Sequence, residues 1–160
     1  MKTPISIGVA LLIAAADGTW QTPSGRNFPV VGGNLANHRY SSLTGINKKN
    51  IAKLGGAWMV HLEDGKFPPT MQATPVVVDG VMYVSTGAGN IFALDAATGA
   101  VKWKHETTFG GNYRGVAVAE GRVFSGERDS QLIALDQKTG ALVWETPTQP
   151  GPPRRWARRR

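Results

Sequence analysis

The sequence predicts an all-β protein, a partial β-propeller of about two four-stranded blades plus part of a third. Three observations predict it. Residues 74–103 (TPVVVDGVMYVSTGAGNIFALDAATGAVKW) recur without a gap as residues 115–144 (GVAVAEGRVFSGERDSQLIALDQKTGALVW), at an offset of 41. Each copy alternates short apolar runs with turn residues, the pattern of strands joined by tight connections. Each also ends in the frame A-L-D-x-x-T-G-A-x-x-W, closing on Trp103 and Trp144.

The chain divides into five segments. Residues 1–16, MKTPISIGVALLIAAA, begin with Lys2, continue through an apolar run and end in Ala14-Ala15-Ala16. That order of parts is a secretory signal peptide, and it is too short for an ordinary membrane span of about 20 residues. A short N-terminal anchor or a buried helix is the alternative. Cleavage near Asp17 would leave a mature chain without a membrane span, periplasmic or secreted. Residues 17–62 form a lead-in segment and a partial blade. Within it, Asn47 is placed to cap a short helical turn over Lys48–Leu54, and Ile51–Leu62 has the look of a last strand carrying Trp58. Trp58 precedes Trp103 by 45 residues, close to the offset of the repeat.

Residues 63–107 make the first full blade. Pro75–Val78 and Val81–Ser85 are strands joined by the two-residue turn Asp79-Gly80. Gly87–Asn90 is a looser turn, Ile91–Leu94 the third strand and Val101–His105 the fourth. Between the last two, the Asp95 carboxylate can accept from following backbone N–H groups, and Gly99 can take positive φ. Residues 108–148 repeat this plan as the second blade. Asp95, Asp136, Trp103 and Trp144 are therefore read as blade-building residues: the aspartates fix turns, and the flat indoles pack between blades. Residues 149–160 are a Pro/Arg-rich tail without strand alternation, read as disordered or as an out-of-frame end, with a basic tail for membrane or nucleic acid as the alternative.

Charge fits this division. The net charge of +7 comes from the ends, because Asp17 to Pro153 carries 12 basic and 11 acidic residues. A nearly neutral body argues against a nucleic-acid partner. The absence of cysteine excludes disulfides and thiolate metal sites. His38, His61 and His105 are isolated, without metal-ligand spacing, and Glu127 and Asp129 read as solvated turn residues. No metal site and no catalytic residue is expected in this chain. Two blades and part of a third do not close a ring, since propellers use about four to eight.

Residues 33–146 resemble the N-terminal part of the pyrroloquinoline quinone (PQQ)-dependent dehydrogenases, the eight-bladed quinoprotein alcohol and glucose dehydrogenases. GGNLANHRYSSLTGINKKNIAKLGGAW, MQATPVVVDGVMYVSTGAGNIFALDAATGAVKW and NYRGVAV carry the resemblance. The resemblance implies a fragment of a periplasmic dehydrogenase that oxidises an alcohol or sugar with PQQ and calcium and passes electrons to an acceptor. It places two cofactor-binding residues here. Gln72 stands before Ala-Thr-Pro where the family usually has Glu, so the acceptor is kept and the charge lost. Arg114 stands before Gly-Val-Ala, where a guanidinium can polarise quinone carbonyls. Thr108 and Phe109 occupy the places of the adjacent cysteines of the alcohol-oxidising subgroup. The family's calcium ligands and catalytic base belong to parts of the family that this chain does not match. The fragment alone is expected to be inactive and to bind neither cofactor tightly. The alternative is a non-enzymatic binding scaffold like the BamB propeller, which shares the A-L-D-x-x-T-G-x-x-x-W frame.

Overall fold

The computed structural model describes residues 22–63, 71–107, 114–127 and 130–148. The expected signal peptide and Pro/Arg tail lie outside the described residues, as do Thr108, Phe109 and Asp129.

The described residues form two four-stranded antiparallel sheets in sequential order. The first contains β1 (Val76–Val78), β2 (Val81–Ser85), β3 (Ile91–Asp95) and β4 (Val101–His105). The second contains β5 (Ala117–Ala119), β6 (Arg122–Gly126), β7 (Gln131–Asp136) and β8 (Leu142–Pro147). Pairings in the first sheet recur 41 residues on: Val76 faces Tyr83 and Ala117 faces Phe124, while Ala93 faces Trp103 and Ala134 faces Trp144. A bulge falls between Ala93 and Leu94, and another between Ala134 and Leu135.

The turns hold these registers. Asp79 (φ 51°) and Gly80 (φ 76°) are both left-handed, the conformation that lets a two-residue hairpin follow strand twist. Glu120 and Gly121 repeat it at 51° and 72°. After β3, Asp95 Oδ1 accepts from the N–H groups of Ala97 (3.1 Å) and Thr98 (3.0 Å) and from the Thr98 hydroxyl (3.0 Å). The Thr98 hydroxyl in turn accepts from Ala100 N–H at 3.3 Å. After β7, Asp136, Lys138, Thr139 and Ala141 make the same four bonds at 2.9–3.3 Å.

Each turn receives an indole. The Trp58 ring lies on Gly99 and the Trp103 ring on Gly140, so close that a Cβ on either glycine would come within 2.6 Å of a ring carbon. Trp58 Nε1–H donates to Ala96 O (3.2 Å), and Trp103 Nε1–H donates to Gln137 O (3.1 Å). Val84, Phe92 and Leu94 pack with Trp58, Val60 and Leu62 on one face of the first sheet. Val76, Tyr83, Ile91 and Ala93 pack with Val123, Ile133 and Leu135 on the other. The first sheet is thus covered on both faces, which is why four consecutive residues of β3, Ile91–Leu94, are all buried.

Some boundaries differ from expectation, three of them for clear reasons. β1 starts at Val76 because Pro75 has no N–H to give the ladder. The Trp58 stretch forms no strand ladder, and the helical turn expected over Lys48–Leu54 is a 3-10 turn at Ile51–Lys53. Trp58 docks through its side chain, so no partner strand is needed. β8 continues through Glu145–Pro147 although alternation stops at Trp144. Its backbone pairs with Gln131–Leu135 of β7 while its side chains stay exposed, so no polar alternation is required.

Asp95 and Asp136 are both held below the ordinary carboxylate pKa, first by the Thr98 and Thr139 hydroxyls and then by the backbone N–H bonds of the same turns. The folded chain therefore favours the carboxylates more than the unfolded chain does. This contribution is complete above the unfolded-state pKa and is lost as pH falls through the lower folded value. Urea denaturation at stepped pH should show stability falling below about pH 4. The Asp95→Asn/Asp136→Asn double variant should show a flatter acid limb.

Candidate functional site

The two sheets approach one another at backbone level through their first strands, β1 and β5. Side chains of β2, β3, β4, β6 and β7 also meet in the shared core, to which β8 contributes none. The two residues assigned from the sequence sit at the start of these inner strands. Gln72 leads into β1 through Ala73-Thr74-Pro75, and Arg114 leads into β5 through Gly115-Val116. Both are exposed. Below them, Val76 and Val116 are buried in the core and fix the two chain starts.

Gly115 brings the two starts together. Its φ of +125° is open to glycine and strained for other residues. A Cβ there would lie 3.5 Å from the Thr74 carbonyl oxygen and 3.7 Å from Val31 Cγ2. The residue after Arg114 therefore rests against the residue two beyond Gln72. Gln72 and Arg114 thus stand at one end of the inner strands; an amide carries N–H donors and a carbonyl acceptor, a guanidinium N–H donors alone.

The same end of the first sheet carries a polar cluster that sequence reading did not single out. Glu63 Oε1 accepts from the Thr86 hydroxyl and from Asn90 Nδ2 (3.1 Å), and Glu63 Oε2 lies 3.2 Å from the same amide nitrogen. Asn90 Oδ1 accepts from Thr107 N–H at 3.2 Å. These bonds tie the lead-in segment and the end of β4 to the β2–β3 turn. No local motif marks them, because Glu63 and Asn90 are 27 residues apart. A second unforeseen clamp covers the free edge of β1. Phe28 N–H donates to Val77 O (2.6 Å) and Val77 N–H returns a bond to Phe28 O (2.9 Å). Beside it, Asn27 Oδ1 accepts from Asp79 N–H at 2.9 Å.

The histidines read as isolated make local contacts. His105 Nδ1 lies 3.2 Å from Gly140 O, within the contact between sheets, and His38 pairs with Asn34. Glu127, expected to be solvated, is instead half-buried in the turn after β6. Among the described residues, no group of three or more His, Cys, Asp or Glu is placed to hold a metal ion. Nor is any described helix long and apolar enough to cross a membrane.

Residues 28–149 match the family model of the PQQ glucose/ethanol/alcohol dehydrogenase β-propeller domain. The chain belongs to this family. It is 41% identical over 116 residues to the quinohemoprotein alcohol dehydrogenase of Comamonas testosteroni, covering 66% of this chain and 16% of that protein. It is 39% identical over 128 residues to the 1-butanol dehydrogenase (cytochrome c) of Thauera butanivorans, covering 74% of this chain and 17% of that one. The crystal structure of the Comamonas testosteroni quinohemoprotein alcohol dehydrogenase superposes with a TM-score of 0.72 at 38% identity, over 79% of this chain and 20% of that chain. The two sheets are accordingly propeller blades, and the chain spans about a sixth of the length of these curated relatives.

The donors at the strand starts suit PQQ, whose carboxylates and carbonyl oxygens are acceptors. For calcium, the described residues bring together no group of three or more acidic side chains. Gly115→Ala is expected to destabilise the chain by more than about 1 kcal/mol, because the left-handed φ is strained for alanine. Urea midpoints will measure the loss. Amide shifts confined to Thr74, Arg114 and their neighbours would show that the two strand starts move together.

Proposed function

We propose that this chain supplies two blades and one wall of the cofactor site of a PQQ-dependent dehydrogenase that oxidises an alcohol or a sugar. One observation carries the reading: in a chain of this family, Gly115 lies against Thr74, so Arg114 and Gln72 stand at the same end of the two inner strands. Bound PQQ would supply an ortho-quinone that accepts two electrons. Arg114 is assigned to orient the quinone edge and to stabilise negative charge that develops on its oxygens. Gln72 is assigned to hold the same edge as a neutral donor and acceptor. Calcium, also proposed for the parent protein, would take ligands from outside the described residues.

The substrate class follows from relatives described as alcohol and 1-butanol dehydrogenases. A cytochrome c is the proposed electron acceptor, in line with the description of the Thauera butanivorans relative. The periplasm is the proposed compartment, supported by the order of parts in residues 1–16. These two blades alone are proposed to be inactive, since a quinone held on one wall only would remain open to water.

A chimera tests the reading. Residues 28–148 replace the corresponding segment of the Comamonas testosteroni quinohemoprotein alcohol dehydrogenase, and dye reduction is assayed with PQQ and calcium on primary alcohols and aldoses. The chimera should be active. Arg114→Ala should lower kcat/KM by about a hundredfold, and Gln72→Glu should retain activity. A folded chimera that binds no PQQ, or one indifferent to Arg114→Ala, would return the chain to a non-enzymatic scaffold.

A further inference from the structure

Residues 27–33 form an arm along the free edge of β1. At the end that carries the β1–β2 turn, Asn27 exchanges two bonds with Asp79. Its Oδ1 accepts from Asp79 N–H at 2.9 Å, and its Nδ2 donates to Asp79 Oδ1 at 3.2 Å. Phe28 follows with its reciprocal backbone pair to Val77. This pairing is antiparallel, so the next arm residues travel towards the start of β1. There the arm turns. Gly33 N–H donates to Val30 O at 2.8 Å, and Arg39 N–H donates to Gly32 O at 2.9 Å. The buried Ser24 hydroxyl donates to Gly33 O. Gly33 has φ 82°, and a Cβ there would come within 2.9 Å of the Phe28 ring. The turn is thus anchored on both flanks. It delivers Val31 to the strand starts. Val31 Cγ2 and the Thr74 carbonyl oxygen flank the same point, the place of a Cβ on Gly115, at 3.7 and 3.5 Å.

We propose that Val31 is a positioning residue of the cofactor site: it holds Gly115 against Thr74 and so fixes how the chain presents Arg114. The proposal rests on the assignment of Arg114 to the quinone. Two observations point to Val31. It is 40% exposed and belongs to neither apolar cluster, so it adds little to the core. Among the described residues, moreover, no backbone hydrogen bond joins β1 to β5. Packing alone therefore sets Gly115 on Thr74, and a glycine has wide backbone freedom to move away. A branched side chain on an anchored turn closes that freedom from the arm side. Val31 touches neither quinone nor substrate in this account and acts through Gly115. Its shape matters and its polarity does not, so threonine would serve and alanine would not.

The chimera tests the proposal when it carries residues 22–148, which keeps Ser24 and Asn27. Val31→Ala, Val31→Thr, Arg114→Ala and the Val31→Ala/Arg114→Ala double variant are compared, with kcat referred to bound PQQ. Val31→Ala should lower kcat by about tenfold or more, with the KM for the alcohol unchanged. Val31→Thr should restore kcat. In the Arg114→Ala background, Val31→Ala should cost nothing further, since no guanidinium is left to misplace. A merely structural role would cost the same in both backgrounds. The contact itself is read without cofactor, as an NMR cross-peak between the Val31 methyls and the Gly115 α protons in the full chain. Absence of that cross-peak, an unchanged kcat in Val31→Ala, or an equal loss with and without Arg114 would overturn the proposal and leave the quinone reading in place. A folded chimera that binds no PQQ with Val31 intact would overturn both.

Discussion

An indole seated on a glycine is the contact from which the arrangement of the sheets follows. Gly140 can have no Cβ because Trp103 occupies that space, and its φ of 72° independently favours glycine. The turn beneath the ring must also be rigid. Asp136 makes it so by accepting three hydrogen bonds within four residues, leaving the Gln137 carbonyl fixed towards the indole N–H. Aspartate, threonine, glycine and tryptophan thus form one device: three residues shape a socket and the fourth, from the preceding blade, fills it. Repetition of the device at Trp58 and Gly99 sets the neighbouring layer in the same way.

This device acts at a distance on the candidate site. The sockets lie after the third strand of each blade, at the end of the inner strands opposite Gln72 and Arg114. With one end locked, the starts of β1 and β5 are held together, and Gly115 can rest against Thr74. The Glu63–Thr86–Asn90–Thr107 cluster stiffens that same end of the first blade. Structural and functional residues therefore share a fold while occupying opposite ends of it. The site end can vary in its side chains without disturbing the sockets.

The sequence made the blades legible because their determinants are local. A hairpin needs Asp79-Gly80 in left-handed φ, and a socket needs Asp95, Thr98 and Gly99 within five residues, so both are visible in a short window. The repeat then supplied the register, and all eight strands fall where that offset places them, give or take a residue at Pro75, Asp95, Ala117, Gln131 and Asp136 and a longer end at Pro147. What escaped were contacts between residues far apart in the chain. Glu63 with Asn90, and Phe28 with Val77, have no spacing rule to reveal them. The strand expected around Trp58 failed for a related reason: an apolar stretch that docks by its side chain looks the same in sequence as one that pairs by its backbone. Gln72 and Arg114 come from family resemblance, and the structure brings together only their chain neighbours, Gly115 and Thr74.

The central claim is that Trp103 and Gly140 are energetically one contact, and a double-mutant cycle measures it directly. Gly140→Ala, Trp103→Ala and the double variant are compared by urea denaturation. With Trp103 present, the added methyl must displace the ring; with Trp103 removed, only the φ strain remains. The account predicts that Gly140→Ala costs less in the Trp103→Ala background, with a coupling of about 1–3 kcal/mol. Additive costs would contradict it and would mean that the blades are oriented by the apolar core alone.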